Sequence, residues 1–273
     1  MASKTYKVIG TPFSTFTRTV TLGLHYKGVP FEQVACLPHS DIARHSHPYG
    51  YLPTLIIEGT ASGDEIKLCE SQTIARYIDR IAQGPSLHLD VSAHPEVFSE
   101  RVWEIASLVG SFGFHAIEVG VVKPYLKALE EGVAESDIIH NNTKEVEAIV
   151  EFLRIVEERS IGTSKFLFGD HPTWADFYLY PPLADLQALP FWEQAVSGSR
   201  FVTWMGEMGQ LDAVKQTRSG TLAEQHGNII VQGSTERNLL TSLLAMVGCC
   251  LSVAETLQGR CSQAANIGLG DKI

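Results

Sequence analysis

Residues 9–20 carry five hydroxyl side chains: Thr11, Ser14, Thr15, Thr17 and Thr19. They fall where a short β-like run, 5–9, gives way to a helix-like run over about 15–27. A hydroxyl at a helix start has two uses. It can accept from the first-turn amides as a cap, or it can donate to an anion that those amides and the helix dipole also favour. A second junction of this kind is Glu70-Ser71, between a strand-like run (65–69) and a helix-periodic segment with Ile74, Ile78 and Ile81. Free amides and the Ser71 hydroxyl suit a carboxylate there, and Glu70 can hold an ammonium group; a Ser71 that only caps the helix fits the same geometry.

The elements around these junctions fall into two halves. In residues 1–84 the order is strand, helix, strand (31–35), then two strands (53–58 and 65–69) joined through a Gly-containing turn, then a helix. That order predicts a small sheet with helices packed on it. Residues 83–90 break the pattern and read as a linker. From 92 to 220 the spacing is helical, most clearly over 97–128, 143–158 and 174–189. Thr173 and Asp176 stand at capping-box spacing before the last of these, which marks a helix start rather than chemistry.

Composition narrows the class. A formal charge of -10 over 273 residues argues against a nucleic-acid binder, which needs clustered Lys and Arg. The five cysteines, Cys36, Cys69, Cys249, Cys250 and Cys261, form no C-x-x-C and no metal-ligand spacing, so no metal is expected. A sparse, odd set fits reduced thiols in the cytoplasm. The start carries no signal-like segment. One apolar run, 239–254, is shorter than the ~20 residues of a spanning helix, and is expected to be a tail helix rather than a membrane anchor. The tail 221–273 has no assigned structure.

In this order and spacing, four stretches resemble a glutathione transferase over residues 6–220. Gly10-Thr11-Pro12-Phe13-Ser14-Thr15-Phe16-Thr17-Arg18-Thr19-Val20 with Leu24-His25-Tyr26-Lys27 is similar to the opening of serine-type, phi-like plant and fungal members. Tyr49-Gly50-Tyr51-Leu52-Pro53-Thr54-Leu55 resembles the segment that holds the family's cis-proline. Leu68-Cys69-Glu70-Ser71-Gln72-Thr73-Ile74 resembles the γ-glutamyl clamp, and Thr173 begins a helix like the family's second-domain capping box. The resemblance implies a thioredoxin-like N-terminal domain followed by an all-helical domain, glutathione as co-substrate, and a homodimer.

It also implies roles. Ser14 would hold the glutathione sulfur as thiolate, with Thr15 as its rival; Tyr6 lies inside a strand and no cysteine occupies the opening turn. The main chain of Leu52, set by cis-Pro53, would pair with the tripeptide, and Glu70 and Ser71 would take its γ-glutamyl end. The family's His-Lys pair for the glycyl carboxylate is missing, which leaves His39, with Arg44 behind it, as the candidate. Arg18 could add positive potential near Ser14 or anchor the two domains through an acid. Phe13, Phe112, Phe114 and His115 are candidate walls for a hydrophobic electrophile, and Trp103 is expected in the core. The implied function is conjugation to such electrophiles. Alternatives are a glutathione-dependent isomerase or biosynthetic enzyme, and a binding protein with little turnover.

Overall fold

The computed structural model describes residues 4–60, 63–89, 92, 95, 97–162 and 164–224. The expectations for residues 239–254 and for Cys249, Cys250 and Cys261 lie outside these. The first half runs β1 (Thr5–Ile9), α1 (Thr15–Tyr26), β2 (Glu32–Val34), α2 (Asp41–Ser46), β3 (Thr54–Glu58), β4 (Ile66–Cys69) and α3 (Ser71–Ile81). The strands order as β2-β1-β3-β4, with β1 parallel to β2 and antiparallel to β3, and β3 antiparallel to β4. This is the expected thioredoxin-like domain. Helix α2 is an addition, in the segment between the expected strands 31–35 and 53–58. Its six residues are too few to show an apolar period; Ser40 starts it by accepting from the amide of Ala43 at 3.3 Å.

The helical half follows. Helix α4 (Arg101–Leu108) continues through two π-helical stretches, Val109–Gly113 and His115–Val122, into α5 (Lys123–Glu130). Then come α6 (Glu135–Asn141), α7 (Thr143–Arg159), α8 (Trp174–Gln187), α9 (Trp192–Val196), α10 (Phe201–Gln210) and α11 (Asp212–Gln216). The continuous rod Arg101–Glu130 has a mean hydropathy of 1.6 over its most apolar window, long and apolar enough to cross a membrane. It is a second candidate beside the run 239–254. Here its apolar face is buried on α7 and α8 instead, through Val102, Ile105, Val109, Ile117 and Val121.

Helix α8 is buried all round, as expected for the centre of a bundle. Its start is the capping box: the Asp176 carboxylate accepts from the Thr173 amide at 2.8 Å, and also from the Leu167 amide and Trp204 Nε1, each at 2.8 Å. Asp176 is fully buried and makes all its bonds within the helical domain, which fits the structural role. Trp103 departs from expectation. It is only half-buried on α4, and the Arg76 guanidinium of α3 lies 4.3 Å over its ring.

The two halves meet along α1 and α8. Gly23 sits where they approach most closely: a Cβ there would fall 2.2 Å from the buried Trp174 ring. The adjoining linker is fastened by Lys27 and Asp79, an ion pair whose side chains are 1% and 6% exposed. Asp79 also accepts from the Leu87 amide at 3.2 Å and pairs with His88 at 2.9 Å, while the Leu87 carbonyl accepts from the Trp174 amide at 2.9 Å. One carboxylate thus ties α3, the linker and the first turn of α8.

Two outcomes follow from this packing. Gly23→Ala should lower stability by about 1–3 kcal/mol, because neither a buried indole nor a helix backbone can give way cheaply; thermal unfolding of the purified variant measures it. Burial works to raise the Asp79 pKa, but the bonds from His88, Lys27 and Leu87 outweigh it and hold the carboxyl down at about 2, against 3.8 ordinarily. A carboxyl depressed in the folded state contributes stability above its unfolded pKa and loses it as pH falls toward the folded one. About 2 kcal/mol should therefore disappear between pH 5 and pH 2. Denaturant unfolding of wild type and Asp79→Asn across that range tests this, and their difference should narrow as the pH drops.

Candidate functional site

The sheet register assembles the site. Ile9 pairs with Thr54, and Thr54 pairs with Cys69. The end of β1, the start of β3 and the end of β4 therefore lie side by side. The loop to Ser14, the Leu52-Pro53 peptide and the Glu70-Ser71 junction all leave that one end of the sheet. The Leu52-Pro53 bond is cis, as expected.

Ser14 is the residue before α1. Its Oγ accepts from the Thr17 amide at 3.3 Å, and it is half-buried. As an acceptor in that bond, the hydroxyl keeps its proton free to donate. Thr15 is 4% exposed, on the first helical residue. The other hydroxyls are structural. The Thr11 Oγ1 accepts from the Phe13 amide at 3.4 Å, in the turn. Thr21 donates to the Arg18 carbonyl at 3.1 Å, and Thr19 donates across the domain boundary to the Phe177 carbonyl at 3.1 Å. Thr17 and Thr19 are wholly buried.

Arg18 resolves to the second of its two readings. It is 4% exposed and its guanidinium pairs with Asp185 on α8. Beside them lies Glu118 of the second π-helical stretch, also 4% exposed. Burial, then the Asp185 charge, pushes the Glu118 carboxyl well above the usual range. Arg18 is an interdomain anchor.

At the opposite junction, Glu70 takes φ 68° and ψ 117°, a backbone region that costs a non-glycine residue of order 1–3 kcal/mol. Its side chain does not cap α3, so the first-turn amides from Ser71 onward keep no partner inside the helix. The Glu70 carboxylate turns outward, 77% exposed, and is met at 3.4 Å by Nε2 of buried His47. The His47 Nδ1 accepts from the Tyr49 amide at 3.1 Å, so Nε2 carries the proton and donates to Glu70. Sequence reading passed over His47 in favour of His39; a histidine just before Pro48 offers no spacing signal toward residue 70.

His39 is half-buried at φ 61°, and its Nδ1 donates to the Tyr49 carbonyl at 3.1 Å. Arg44 braces it from behind, Nε donating to the His39 carbonyl at 2.8 Å. The Tyr51 ring stands 5.0 Å from His39 and 5.9 Å from His47.

Of the candidate walls, the structure brings Phe114 to the site. Its ring lies 5.2 Å from Phe16, in the first turn of α1, and Lys123 sits 4.8 Å over its face. Phe13 is half-buried in the turn before Ser14. Phe112 is 64% exposed, and His115 touches Phe114 edge-on at 5.9 Å. Phe16 and Tyr178 were not singled out from sequence; their rings are 6.4 Å apart across the domain boundary.

Comparison with known proteins agrees with this geometry. Residues 8–86 match the family model of the glutathione S-transferase N-terminal domain, and residues 119–207 match that of the C-terminal domain. Glutathione S-transferase F4 of Arabidopsis thaliana is 25% identical over 218 residues, 77% of this chain and 83% of its own. Glutathione S-transferase F6 of the same plant is 28% identical over 210 residues, 67% of this chain and 85% of its own. The solved glutathione transferase F7 from Populus trichocarpa shares the fold, with a TM-score of 0.61 at 24% identity over 79% of this chain and 98% of that one. With both family domains in order on one sheet-and-bundle scaffold, the chain belongs to the glutathione S-transferase family and is a glutathione transferase.

Proposed function

We propose that this transferase binds glutathione across the sheet end and uses the Ser14 hydroxyl to hold its sulfur as thiolate for attack on a hydrophobic electrophile. The observation that carries the reading is the position of Ser14: half-buried, capping α1, and on the same sheet end as cis-Pro53 and Ser71. The γ-glutamyl carboxylate meets the α3 amides and Ser71, and its ammonium meets Glu70. The Leu52 main chain pairs with the cysteinyl unit, as an added strand does. His39 meets the glycyl carboxylate in its cationic form, in which Nε2 donates while Nδ1 keeps its bond to the Tyr49 carbonyl.

The chemistry asks little of the protein beyond charge. The glutathione thiol loses its proton to solvent, and the resulting thiolate accepts from the Ser14 O–H at the positive end of α1. A depression of about two pKa units corresponds to about 2.7 kcal/mol. The sulfur pair then forms the S–C bond, and the electrophile's leaving group departs with its own pair. Phe13, Phe16 and Phe114 offer an apolar wall beside Ser14, which favours hydrophobic electrophiles. Thr15, 4% exposed, is less open to a ligand sulfur than half-buried Ser14, which supports Ser14.

Two further attributes belong to the same reading. The chain works as a homodimer, checked by light scattering. It acts in the cytoplasm, in keeping with the free thiols of Cys36 and Cys69.

The test is the ultraviolet difference spectrum of the bound thiolate at pH 7. Ser14→Ala should reduce the thiolate fraction and turnover about a hundredfold, the equivalent of those two units, whereas Thr15→Ala should leave the thiolate signal in place. If neither substitution changes the signal, the serine assignment is wrong. A panel of aromatic halides, hydroperoxides and cis-enones distinguishes conjugation from peroxide reduction and isomerisation.

A further inference from the structure

Two sets of unsatisfied polar groups converge at the start of α3, and they come from different domains. The first set is the helix terminus. Glu70 makes no side-chain cap, Ile74 is the first residue whose amide reaches back to the Glu70 carbonyl, and the amides before it are open. The second is a single hydroxyl, that of Tyr178, the fifth residue of α8. Tyr178 is 1% exposed, yet its Oη makes no hydrogen bond of ordinary geometry. A buried hydroxyl left unpaired costs about 1–3 kcal/mol, so its retention in so well packed a helix calls for a partner.

The surroundings indicate which partner. The Tyr178 ring packs by Phe16 at the Ser14 end of α1, and the phenol is directed toward α3, with the Ser71 hydroxyl beside it and Glu70 and Arg76 as its charged neighbours. Burial, only partly relieved by Ser71, drives the phenol's pKa up, so Tyr178 holds its proton at all ordinary pH. Its O–H is therefore a fixed donor. Ser71 has one proton to give and two lone pairs to receive on. With a carboxylate at the α3 terminus, the Ser71 O–H turns from the phenol to that carboxylate, and the lone pairs left facing Tyr178 accept from its O–H.

We propose that Tyr178 is a positioning residue for glutathione: its hydroxyl, supplied by the helical domain, donates to Ser71 Oγ and orients the Ser71 proton onto the γ-glutamyl carboxylate. The inference rests on the glutathione-binding mode given under Proposed function. The gain comes from a chain of two hydrogen bonds ending on a charge, where each bond polarises the next. The consequence reaches beyond affinity. Occupation of the glutathione site satisfies a group on α8, so ligand binding tightens the contact between the two domains.

Calorimetric titration of the full chain with reduced glutathione tests this, using Tyr178→Phe, Ser71→Ala and the double variant. Tyr178→Phe keeps the ring and its packing. It should weaken glutathione binding about five- to tenfold, raising KM for glutathione rather than lowering kcat, and leave KM for the electrophile alone. Thermal unfolding without ligand should be unchanged or slightly higher, since an unpaired buried hydroxyl has been removed, while the stabilisation by saturating glutathione should shrink. In the Ser71→Ala background the same change should have no further effect on affinity. Equal affinity of wild type and Tyr178→Phe, or losses that multiply in the double variant, overturn the inference while leaving glutathione binding standing. A wild-type chain that binds no glutathione overturns the binding mode, and this inference with it.

Discussion

The burial of α1 between the sheet and α8 is the constraint on which the rest of the molecule depends. From Thr17 to Leu24 every residue of α1 is buried. An ordinary surface helix would be polar on its outer face, but here that face is covered by a second domain. The sequence answers with side chains that are small and can satisfy themselves: Thr19 bonds to backbone at both its own helix and α8, and Thr21 bonds back to Arg18. Gly23 admits the Trp174 ring. The hydroxyl-rich opening is thus largely a packing solution, and one hydroxyl at its edge is left half-buried.

The charged centre of that interface follows the same logic. A buried Arg18–Asp185 pair gains little net stability once desolvation is counted, but removing either partner would strand the other. Burial and the Asp185 charge both work against ionising Glu118 next to it, so the interface resists a second anion. The pair's value lies in geometry, because it allows one relative placement of α1 and α8. Fixing that placement fixes Tyr178 against α3 and Phe16 against Phe114, so both the polar and the apolar sides of the site inherit their alignment from it.

Much of this was legible in the residues, and the limits have physical causes. The four strands, the long α3 period, the capping box at Thr173 and the cis Leu52-Pro53 peptide all leave local marks, since each depends on neighbours within a few positions. The two-domain division showed in the switch from period-two to helical spacing at the linker. Helix α2 did not show, because six residues give no period. Trp103 was misplaced because aromatic content suggests a core, whereas here a guanidinium from α3 covers the exposed ring face. His47 and Tyr178 escaped for a shared reason: each reaches the start of α3 from another element, His47 meeting Glu70 from 23 positions away in sequence and Tyr178 lying by Ser71 from the other domain. Contacts of that range leave no spacing to read.

The same limit explains the long helix of the second domain. Its residues read as one helix over 97–128, but periodicity at 3.6 cannot describe what 109–122 do. At each π-helical stretch the closing bond spans five residues, the Phe114 amide reaching Val109 and the Lys123 amide reaching Glu118. The wider turns shift the phase of the face that follows. Phe114 can then meet Phe16, Lys123 can sit over Phe114, and Glu118 can turn inward to the Arg18–Asp185 pair. A regular α-helix carrying the same sequence would turn the face beyond Val109 in a different direction and send these side chains elsewhere. The winding of this segment therefore sets where Phe114 meets Phe16 and where Glu118 meets the Arg18–Asp185 pair, apart from the sheet end that carries Ser14 and Ser71.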